Sequence, residues 1–387
     1  MTRTLRAAAW TVLPLLLLAA VAALFLAANP LGPLTGATPP VEALTVERVV
    51  LDDQGIALNL RAGGSAPMSI AQVQVDGAYW AFTQNPSGPL KRMATAWVRI
   101  PYPWVPGETH HLKLVSRSGL TFDHAIDVAV ASPDMNAGRL RLYALIGLFV
   151  GVVPIALGML FYPALKAGGA PAFEFALALT LGLLAFLLVD TLNEGFEFSG
   201  RAAPAFQGPA LVWMAAALAF VLLMAAGRRG GRAPQGAALS AAIALGIGLH
   251  NLGEGLAIGA AFVTGAAALG SFLVIGFTLH NITEGVGIVG PLLSRRPPWW
   301  VFAVLIGLAG LPAVLGIWLG SFAFSPHWAA LALGLGAGAI AQVIVEVGAY
   351  LIRKAREAGR PSLSPLTLAG AAAGVAVMYA TAFLVQV

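Results

Sequence analysis

The chain contains no cysteine among its 387 residues. This absence excludes disulfide bonds, cysteine nucleophiles and thiolate metal sites together, so any bound metal must accept nitrogen and oxygen ligands. Charged residues are also scarce, at 10%, whereas hydrophobic residues make up 58% of the chain and the mean hydropathy is +0.83. This composition predicts an integral membrane protein that crosses the bilayer several times.

Basic residues outnumber acidic ones, which gives a formal net charge of +5. The excess lies in short loops between apolar segments, where Lys and Arg set the orientation of a membrane protein, so we expect no nucleic-acid binding. If the N-terminus is cytoplasmic, the inner loops carry Lys166, Arg228, Arg229, Arg232, Arg295, Arg296, Arg353, Lys354, Arg356 and Arg360. The outer loops beyond Arg141 carry only Arg201. This alternation predicts a multi-pass membrane protein with its C-terminus outside.

Three parts follow one another along the chain. Residues 1–30 form an apolar run behind Arg3 and Arg6, which indicates a membrane anchor or a signal peptide; a run of about twenty residues favours the anchor. Residues 40–135 are richer in charged and turn residues and are predicted to lie outside the cytoplasm. Residues 139–387 hold eight apolar segments, enough for an all-α membrane core. Their approximate bounds are 141–163, 173–192, 208–226, 237–263, 269–293, 299–322, 327–352 and 364–386.

Short alternating runs punctuated by Gly, Pro and Ser fill residues 40–135. They predict about seven strands and a small all-β sandwich of immunoglobulin-like type, although the Cys-Trp-Cys hallmark is missing. The histidines of this domain, His110, His111 and His124, are expected at its surface. The predicted strands are 44–51, 56–61, 70–75, 79–82, 96–100, 111–115 and 122–130.

One motif occurs twice, thirty residues apart, in the fourth and fifth core segments. The first copy reads Leu-His-Asn-Leu-Gly-Glu-Gly and ends at Gly255; the second reads Leu-His-Asn-Ile-Thr-Glu-Gly and ends at Gly285. On a helix, the His and Glu of each copy share one face, and the Asn lies beside them. Consecutive spanning helices run antiparallel, so this direct sequence repeat becomes an inverted structural repeat. In transporters such a repeat places the substrate site near the membrane midplane.

Six side chains of the two motifs are therefore candidate metal ligands. A lone His in a membrane helix usually makes an interhelical hydrogen bond, but two copies in register favour a divalent cation, because a buried carboxylate costs about 3 kcal/mol unless compensated. Ligands without sulfur leave Zn²⁺, Fe²⁺, Mn²⁺, Co²⁺, Ni²⁺ and Cd²⁺ open, with Zn²⁺ suited to imidazole plus carboxylate. The candidates are His250, Asn251, Glu254, His280, Asn281 and Glu284.

Two further polar pairs lie within apolar segments. Asp190 and Glu194 are expected at the outer end of the second core helix, either as a solvated helix end or as a vestibule that concentrates cations. Gln342 and Glu346 lie well inside the seventh helix, where no helix terminus compensates the carboxylate. All four are candidate pathway residues. His327, at the start of the seventh helix, is expected to be interfacial.

At these motifs the chain resembles the ZIP (Zrt/Irt-like) family of divalent metal transporters, above all its bacterial GufA-type branch. The resemblance covers about residues 139–387 and implies eight helices with both ends outside. It also implies one metal site at His250, Glu254, His280 and Glu284. Asn251 and Asn281 would join the same two glutamates in a second site, so that the glutamates bridge two metals.

The chain departs from that family pattern at three places. Gly253 and Thr283 replace the customary prolines of the motif helices, so a kink is expected at Gly253 and less so at Thr283. Leu311 precedes Pro312 in the sixth helix, where the family usually places a Glu. This predicts a mononuclear site, to which the substitution Leu311→Glu should add a second metal. The loop around Arg228 is short and basic instead of His-rich, which argues against metal sensing there.

Four kinds of function could use these residues. The leading one is a transporter, not an enzyme, that carries a divalent metal toward the cytoplasm; metal ions and membrane lipid are the expected partners, and a homodimer is left open. The alternative is a non-conducting, metal-binding sensor or scaffold that acts through the sandwich. An intramembrane metallohydrolase would need His-Glu-x-x-His, which is absent. Haem bound by His250 and His280 would not explain the paired Asn and Glu.

Overall fold

The N-terminal segment forms a unit of its own. The structure, a computed structural model, describes residues 3–28, 30, 41–228, 234–263, 267–293 and 296–385, and these divide into the units Met1–Val41 and Glu42–Val387. The first unit contains helix α1, Arg3–Ala28, whose apolar part is Val12–Ala28. Whether α1 is an anchor or a cleaved signal stays a prediction. Three of the predicted inner-loop basic residues, Arg229, Arg232 and Arg295, lie outside the described residues.

A small antiparallel β domain opens the second unit, as the sequence predicts. Its eight described strands form two four-stranded sheets, in the orders β1-β2-β6-β5 and β4-β3-β7-β8. Inward-facing side chains of both sheets, among them Leu58, Leu60, Leu112 and Leu114, share one buried core. The strands are β1 Leu44–Asp52, β2 Gly55–Ala62, β3 Ile70–Val75, β4 Ala78–Trp80, β5 Thr83–Asn85, β6 Thr95–Ile100, β7 His110–Ser116 and β8 Thr121–Ile126. The sequence missed β5, because Thr-Gln-Asn carries no apolar alternation.

Eight described helices are long and apolar enough to cross a membrane, which confirms the predicted number of core segments. The first of them contains a π-helical turn at Leu148–Val152, which the sequence did not predict. The helices are α2 Ala137–Ala167, α3 Gly169–Gly200, α4 Gly208–Gly227, α5 Ala237–Val263, α6 Ala267–Val289, α7 Trp299–Phe322, α8 Pro326–Glu357 and α9 Pro365–Val385. The two motifs lie on α5 and α6.

These helices pack as two groups of four. Helices α2, α5, α6 and α7 form one, here named the site group, and α3, α4, α8 and α9 form the other, the flanking group. Within the site group, the last glycine of each motif lies against a proline-bearing helix. A Cβ on Gly255 would lie 2.3 Å from the Ala313 carbonyl oxygen on α7, and a Cβ on Gly285 would lie 2.3 Å from the Ile155 carbonyl oxygen on α2. Only glycine allows this approach of the backbones.

A β-bulge fixes the sandwich to the membrane helices. The register of β1 shifts between Val46 and Arg48, so Glu47 is the extra residue of the bulge. The Arg48 guanidinium donates to the Phe322 carbonyl at the end of α7. We name this end of the helices the sandwich end and the opposite end, which carries Lys166, Arg228 and Lys354, the basic end.

Glu47 connects the sandwich to the start of α8. Its buried carboxylate accepts from Arg61 at 2.6 Å and lies 3.4 Å from Nδ1 of His327. The His327 ring stacks on Phe206, with ring centroids 4.2 Å apart, and the Arg61 guanidinium lies over the Phe206 ring. His327 is 7% exposed, so it belongs to a buried junction between the two domains instead of being merely interfacial.

Arg48→Ala should loosen this junction. A hydrogen bond to a charged group contributes about 1.5–3 kcal/mol, so we expect amide hydrogen exchange in the connection between α7 and α8, residues 323–325, to accelerate at least about tenfold. Exchange mass spectrometry of the full chain measures this. The matched control is Arg99→Ala, which removes an ion pair to Asp52 inside the sandwich. Equal exchange in the two variants would contradict a role for Arg48 in docking.

Candidate metal site

The six predicted ligands lie together at the centre of the site group. His250 is the central residue of the 27-residue helix α5, and His280 is near the middle of α6. Each of the six is at most 6% exposed. The repeat therefore brings polar side chains of two antiparallel helices into one buried cluster.

Glu254 lies between the two imidazoles. Its Oε1 is 2.6 Å from Nε2 of His280 and 3.2 Å from Nε2 of His250. The ring centroids of the two histidines are 6.3 Å apart. Ligand atoms of His250, His280 and Glu284 all lie within 4.8 Å of one another, a spacing at which one metal ion could contact all three.

The two asparagines link the motif helices to their neighbours and to each other. Asn251 donates through Nδ2 to the Ala309 carbonyl on α7 at 3.0 Å, and Asn281 donates to the Val150 carbonyl on α2 at 3.0 Å. Each amide also points at the carboxylate of the opposite motif, Asn251 at Glu284 and Asn281 at Glu254, both at 3.5 Å. The amide nitrogens are thus engaged, and the amide oxygens are buried without a hydrogen-bond partner among the described residues.

A proline explains why one of these two backbone carbonyls needs a partner. Proline has no N–H, so the carbonyl four residues earlier loses its helical hydrogen bond. Pro154 follows Val150 by four residues, directly after the π-turn of α2. In α7, Pro312 removes the N–H that would bond to Leu308, so the Ala309 carbonyl lies next to the interrupted turn.

The expected kink at Gly253 stays a prediction. Helices α5 and α6 are continuous through Gly253 and Thr283, as α7 is through Pro312. The Thr283 hydroxyl donates to the His280 carbonyl at 2.6 Å, within its own helix. The prolines beside the two bonded carbonyls are located on the helices packed against the motifs.

Four buried atoms of the cluster have no hydrogen-bond partner among the described residues. They are Nε2 of His250, Oε1 of Glu284 and the Oδ1 atoms of Asn251 and Asn281. Three are oxygen acceptors, and the fourth is a ring nitrogen that can carry a lone pair. Unpaired acceptors cost free energy in a buried site. A cation held by His250, His280 and Glu284 would give partners to acceptors of this set.

The residues of α3 next to this cluster include Asp190 and Glu194, both half-buried. Between them, Thr191 is fully buried, and its Oγ1 lies 2.7 Å from Nδ1 of His250. Oε2 of Glu194 is buried without a hydrogen-bond partner in the described part of the chain. The α3 segment is thus adjacent to the site, and the place of Asp190 and Glu194 on a cation pathway stays a prediction. The sequence analysis did not single out Thr191.

Gln342 and Glu346 lie in α8 toward the basic end, and both are buried. Glu346, at 0% exposed, pairs with Nε of Arg228 at 2.7 Å. This ion pair joins α8 to the end of α4 and compensates the buried carboxylate. A role of Gln342 and Glu346 in the pathway remains a prediction.

The sandwich histidines differ from one another. His111 is exposed, but His110 is 2% exposed and its Nδ1 lies 2.8 Å from Asp76, so the expectation of a surface residue is wrong for His110. Burial alone would raise the pKa of Asp76. Hydrogen bonds from the His111 backbone N–H, from His110 and from Tyr102 outweigh burial and hold that pKa below its usual value. Asp76 thereby fixes the β3–β4 turn and has a structural role.

Leu311 does not face the site. Its side chain is 50% exposed, like Leu315 one turn further along α7, whereas Ala309 and Ala313 on the other face are buried. The idea that Leu311→Glu supplies a missing ligand is therefore wrong. A glutamate there would project to the outside of the helix bundle.

Leu311→Glu should accordingly leave metal binding unchanged. We expect added zinc to shift the thermal unfolding midpoint of this variant by the same amount as in the wild type, since only ligand binding to the folded state produces the shift. Leu315→Glu, on the same exposed face, is the matched control, because it shows how much a carboxylate on this face lowers the stability of the protein. A larger zinc-dependent shift in Leu311→Glu than in Leu315→Glu would show that position 311 does reach the metal.

No protein-family model matches the chain, and no curated protein matches it. Function must therefore be inferred from the residues of this chain.

Proposed function

We propose that this protein carries divalent transition-metal cations across a membrane through the cluster between α5 and α6, as a transporter of the ZIP type. The observation that carries the proposal is the set of four buried polar atoms, at the middle of two apolar helices, that have no hydrogen-bond partner within the part of the chain that the structure describes. Polar groups at that depth are costly and mark ion or substrate pathways. An inverted repeat with a central site is also the usual arrangement in secondary transporters.

The donor set indicates the class of cation. Two imidazoles, two carboxylates and two amide oxygens form a mixed nitrogen and oxygen site without sulfur, which suits Zn²⁺ first and also accepts Fe²⁺, Mn²⁺, Co²⁺ and Cd²⁺. Two carboxylates balance the charge of one dication. The metal is the transported substrate in this proposal, not a resident cofactor.

The surroundings of the site suggest how a cation arrives. Asp190 and Glu194 flank the residue of α3 that contacts His250, and half-buried carboxylates attract cations. Lys166, Arg228 and Lys354 mark the opposite end as cytoplasmic by the positive-inside rule. Entry from the sandwich end and release at the basic end follow, which is transport toward the cytoplasm.

Glu254→Ala and Glu284→Ala should each abolish metal flux while the protein stays folded. A unit charge 4 Å from a carboxylate is stabilised by about 4 kcal/mol at the effective dielectric of a protein, so flux should fall by at least about a hundredfold. Zinc uptake into proteoliposomes measures it. Glu197→Ala is the control, because Glu197 lies on α3 in an exposed ion pair with Arg201. Wild-type rates in either site variant would exclude that carboxylate from the pathway.

His280→Gln should retain transport with a changed preference among metals. The amide oxygen keeps one ligand but is harder than imidazole, so Mn²⁺ should gain relative to Zn²⁺. Competition of the two ions for uptake gives the ratio. An unchanged ratio would mean that His280 does not ligate the transported ion.

A second candidate, a metal-binding sensor or scaffold that does not conduct, is favoured by one observation. The sandwich is fixed to the helix ends through Arg48 and Glu47, so metal occupancy in the helices could be transmitted to it. Binding measurements do not separate the two functions. Wild-type protein that binds zinc but shows no flux in proteoliposomes would establish the sensor and reject the transporter.

A further inference from the structure

Thr191 is a buried threonine whose hydroxyl is used in an unusual way. Buried helical threonines commonly bond to a carbonyl of the preceding turn of their own helix. Thr180, Thr278 and Thr381 do so, at 2.8, 2.6 and 3.1 Å. Thr191, at 0% exposed, instead lies 2.7 Å from Nδ1 of His250 on another helix.

That contact decides which nitrogen of His250 faces the cluster. Neutral imidazole has one N–H donor and one lone-pair acceptor, and a partner on one nitrogen sets the role of the other. If the Thr191 oxygen accepts from Nδ1–H, the lone pair resides on Nε2. Nε2 is the buried atom without a hydrogen-bond partner among the described residues, and His250 belongs to the group that can contact one metal ion.

The second histidine has a different environment in spite of the identical motif. Nε2 of His280 is already engaged by Glu254 at 2.6 Å. A cation bound by His280 must therefore displace this short hydrogen bond, whereas Nε2 of His250 lies further from the same Glu254 oxygen, at 3.2 Å. The two imidazoles are thus unequal, and His250 is held instead through Nδ1, by a residue of the flanking group.

We propose that Thr191 is a positioning residue that fixes the tautomer and ring orientation of His250 and thereby makes the site prefer imidazole-binding cations such as Zn²⁺ over harder ones such as Mn²⁺. This inference rests on the proposed function, because it assumes a cation at the cluster. Groups that hold the second nitrogen of a ligating histidine typically change metal affinity by about 10–100-fold when mutated. The hydroxyl, not the bulk of the side chain, carries this effect.

Thr191→Val removes the hydroxyl and keeps the shape of the side chain. We expect the affinity for Zn²⁺ to fall by about 10–100-fold. Mn²⁺ relies on oxygen ligands, so its affinity should change much less and the Zn²⁺/Mn²⁺ affinity ratio should drop by roughly tenfold or more. Thr191→Ser keeps a hydroxyl and should restore the ratio. Competition titration of the purified full chain with each metal alone and with both gives these values without requiring transport.

Thr180→Val is the matched control. Thr180 is 1% exposed on the same helix, but its hydroxyl bonds to the Ala176 carbonyl of that helix, so the ratio should stay at the wild-type value. Co²⁺ bound to the wild type should give visible absorption bands that shift in Thr191→Val and not in Thr180→Val.

The outcomes distinguish a failure of the Thr191 inference from a failure of the proposed function. An equal loss of Zn²⁺ and Mn²⁺ affinity in Thr191→Val, or a failure of Thr191→Ser to restore the ratio, would assign Thr191 a packing role only and overturn the inference. An unchanged ratio in Thr191→Val would overturn it as well. Wild-type protein that binds neither ion would instead reject the proposed function, and with it the basis of this inference.

Discussion

The centre of this membrane core depends on two asparagine amides that complete the hydrogen bonding of two backbone carbonyls. No water is present in the hydrocarbon to satisfy an exposed carbonyl, so a side chain must do it. Asn281 donates to the Val150 carbonyl, which Pro154 deprives of its helical donor, and Asn251 donates to the Ala309 carbonyl, next to the turn that Pro312 interrupts. These bonds fix the orientation of both amides, whose oxygen atoms are buried without a hydrogen-bond partner among the described residues. A requirement of the backbone thereby orients two of the six polar side chains of the cluster.

Helices α5 and α6 pack against their neighbours in matching ways because of glycine, but the contacts of their two histidines differ. Gly255 and Gly285 allow α5 to touch α7 and α6 to touch α2 in matching ways, so the asparagines reach equivalent carbonyls. The histidines lie at matching positions but have different contacts: Thr191 holds His250, and Glu254 holds His280. The same His, Asn and Glu positions on both helices therefore do not imply identical surroundings, because the partner of His250 comes from α3, outside the repeat, whereas the partner of His280 comes from the repeat itself.

The sequence predicted what depends on local pattern and missed what depends on contact between distant segments. Hydropathy predicted the eight core helices, and the spacing of the two motifs predicted that His250, Glu254, His280 and Glu284 would meet. Neither signal could show that Asn281 and Asn251 bond to backbone carbonyls close to Pro154 and Pro312, because the prolines lie on other helices. Leu311 was misplaced for a related reason. Its position before a proline suggested a site residue, whereas the packing of Ala309 and Ala313 on the buried face turns Leu311 outward. Thr191 and the Glu47 bulge carry no sequence signal that separates them from ordinary helix and strand residues.

The two ends of the core are held together differently, and this bears on how a buried site could open. At the sandwich end, Arg48 bonds to α7 of the site group. Glu47 contacts His327 of α8, and Arg61 lies over Phe206, which lies just before α4, so these two residues contact the flanking group. The sandwich therefore ties the two groups together. At the basic end, the ion pairs of Arg228 with Glu346 and of Arg360 with Glu174 lie within or beside the flanking group. If access alternates by movement of one group against the other, the contacts that the sandwich makes with both groups would resist that movement. The β domain would then influence the state of the site through the bulge of β1 and through Arg61 of β2.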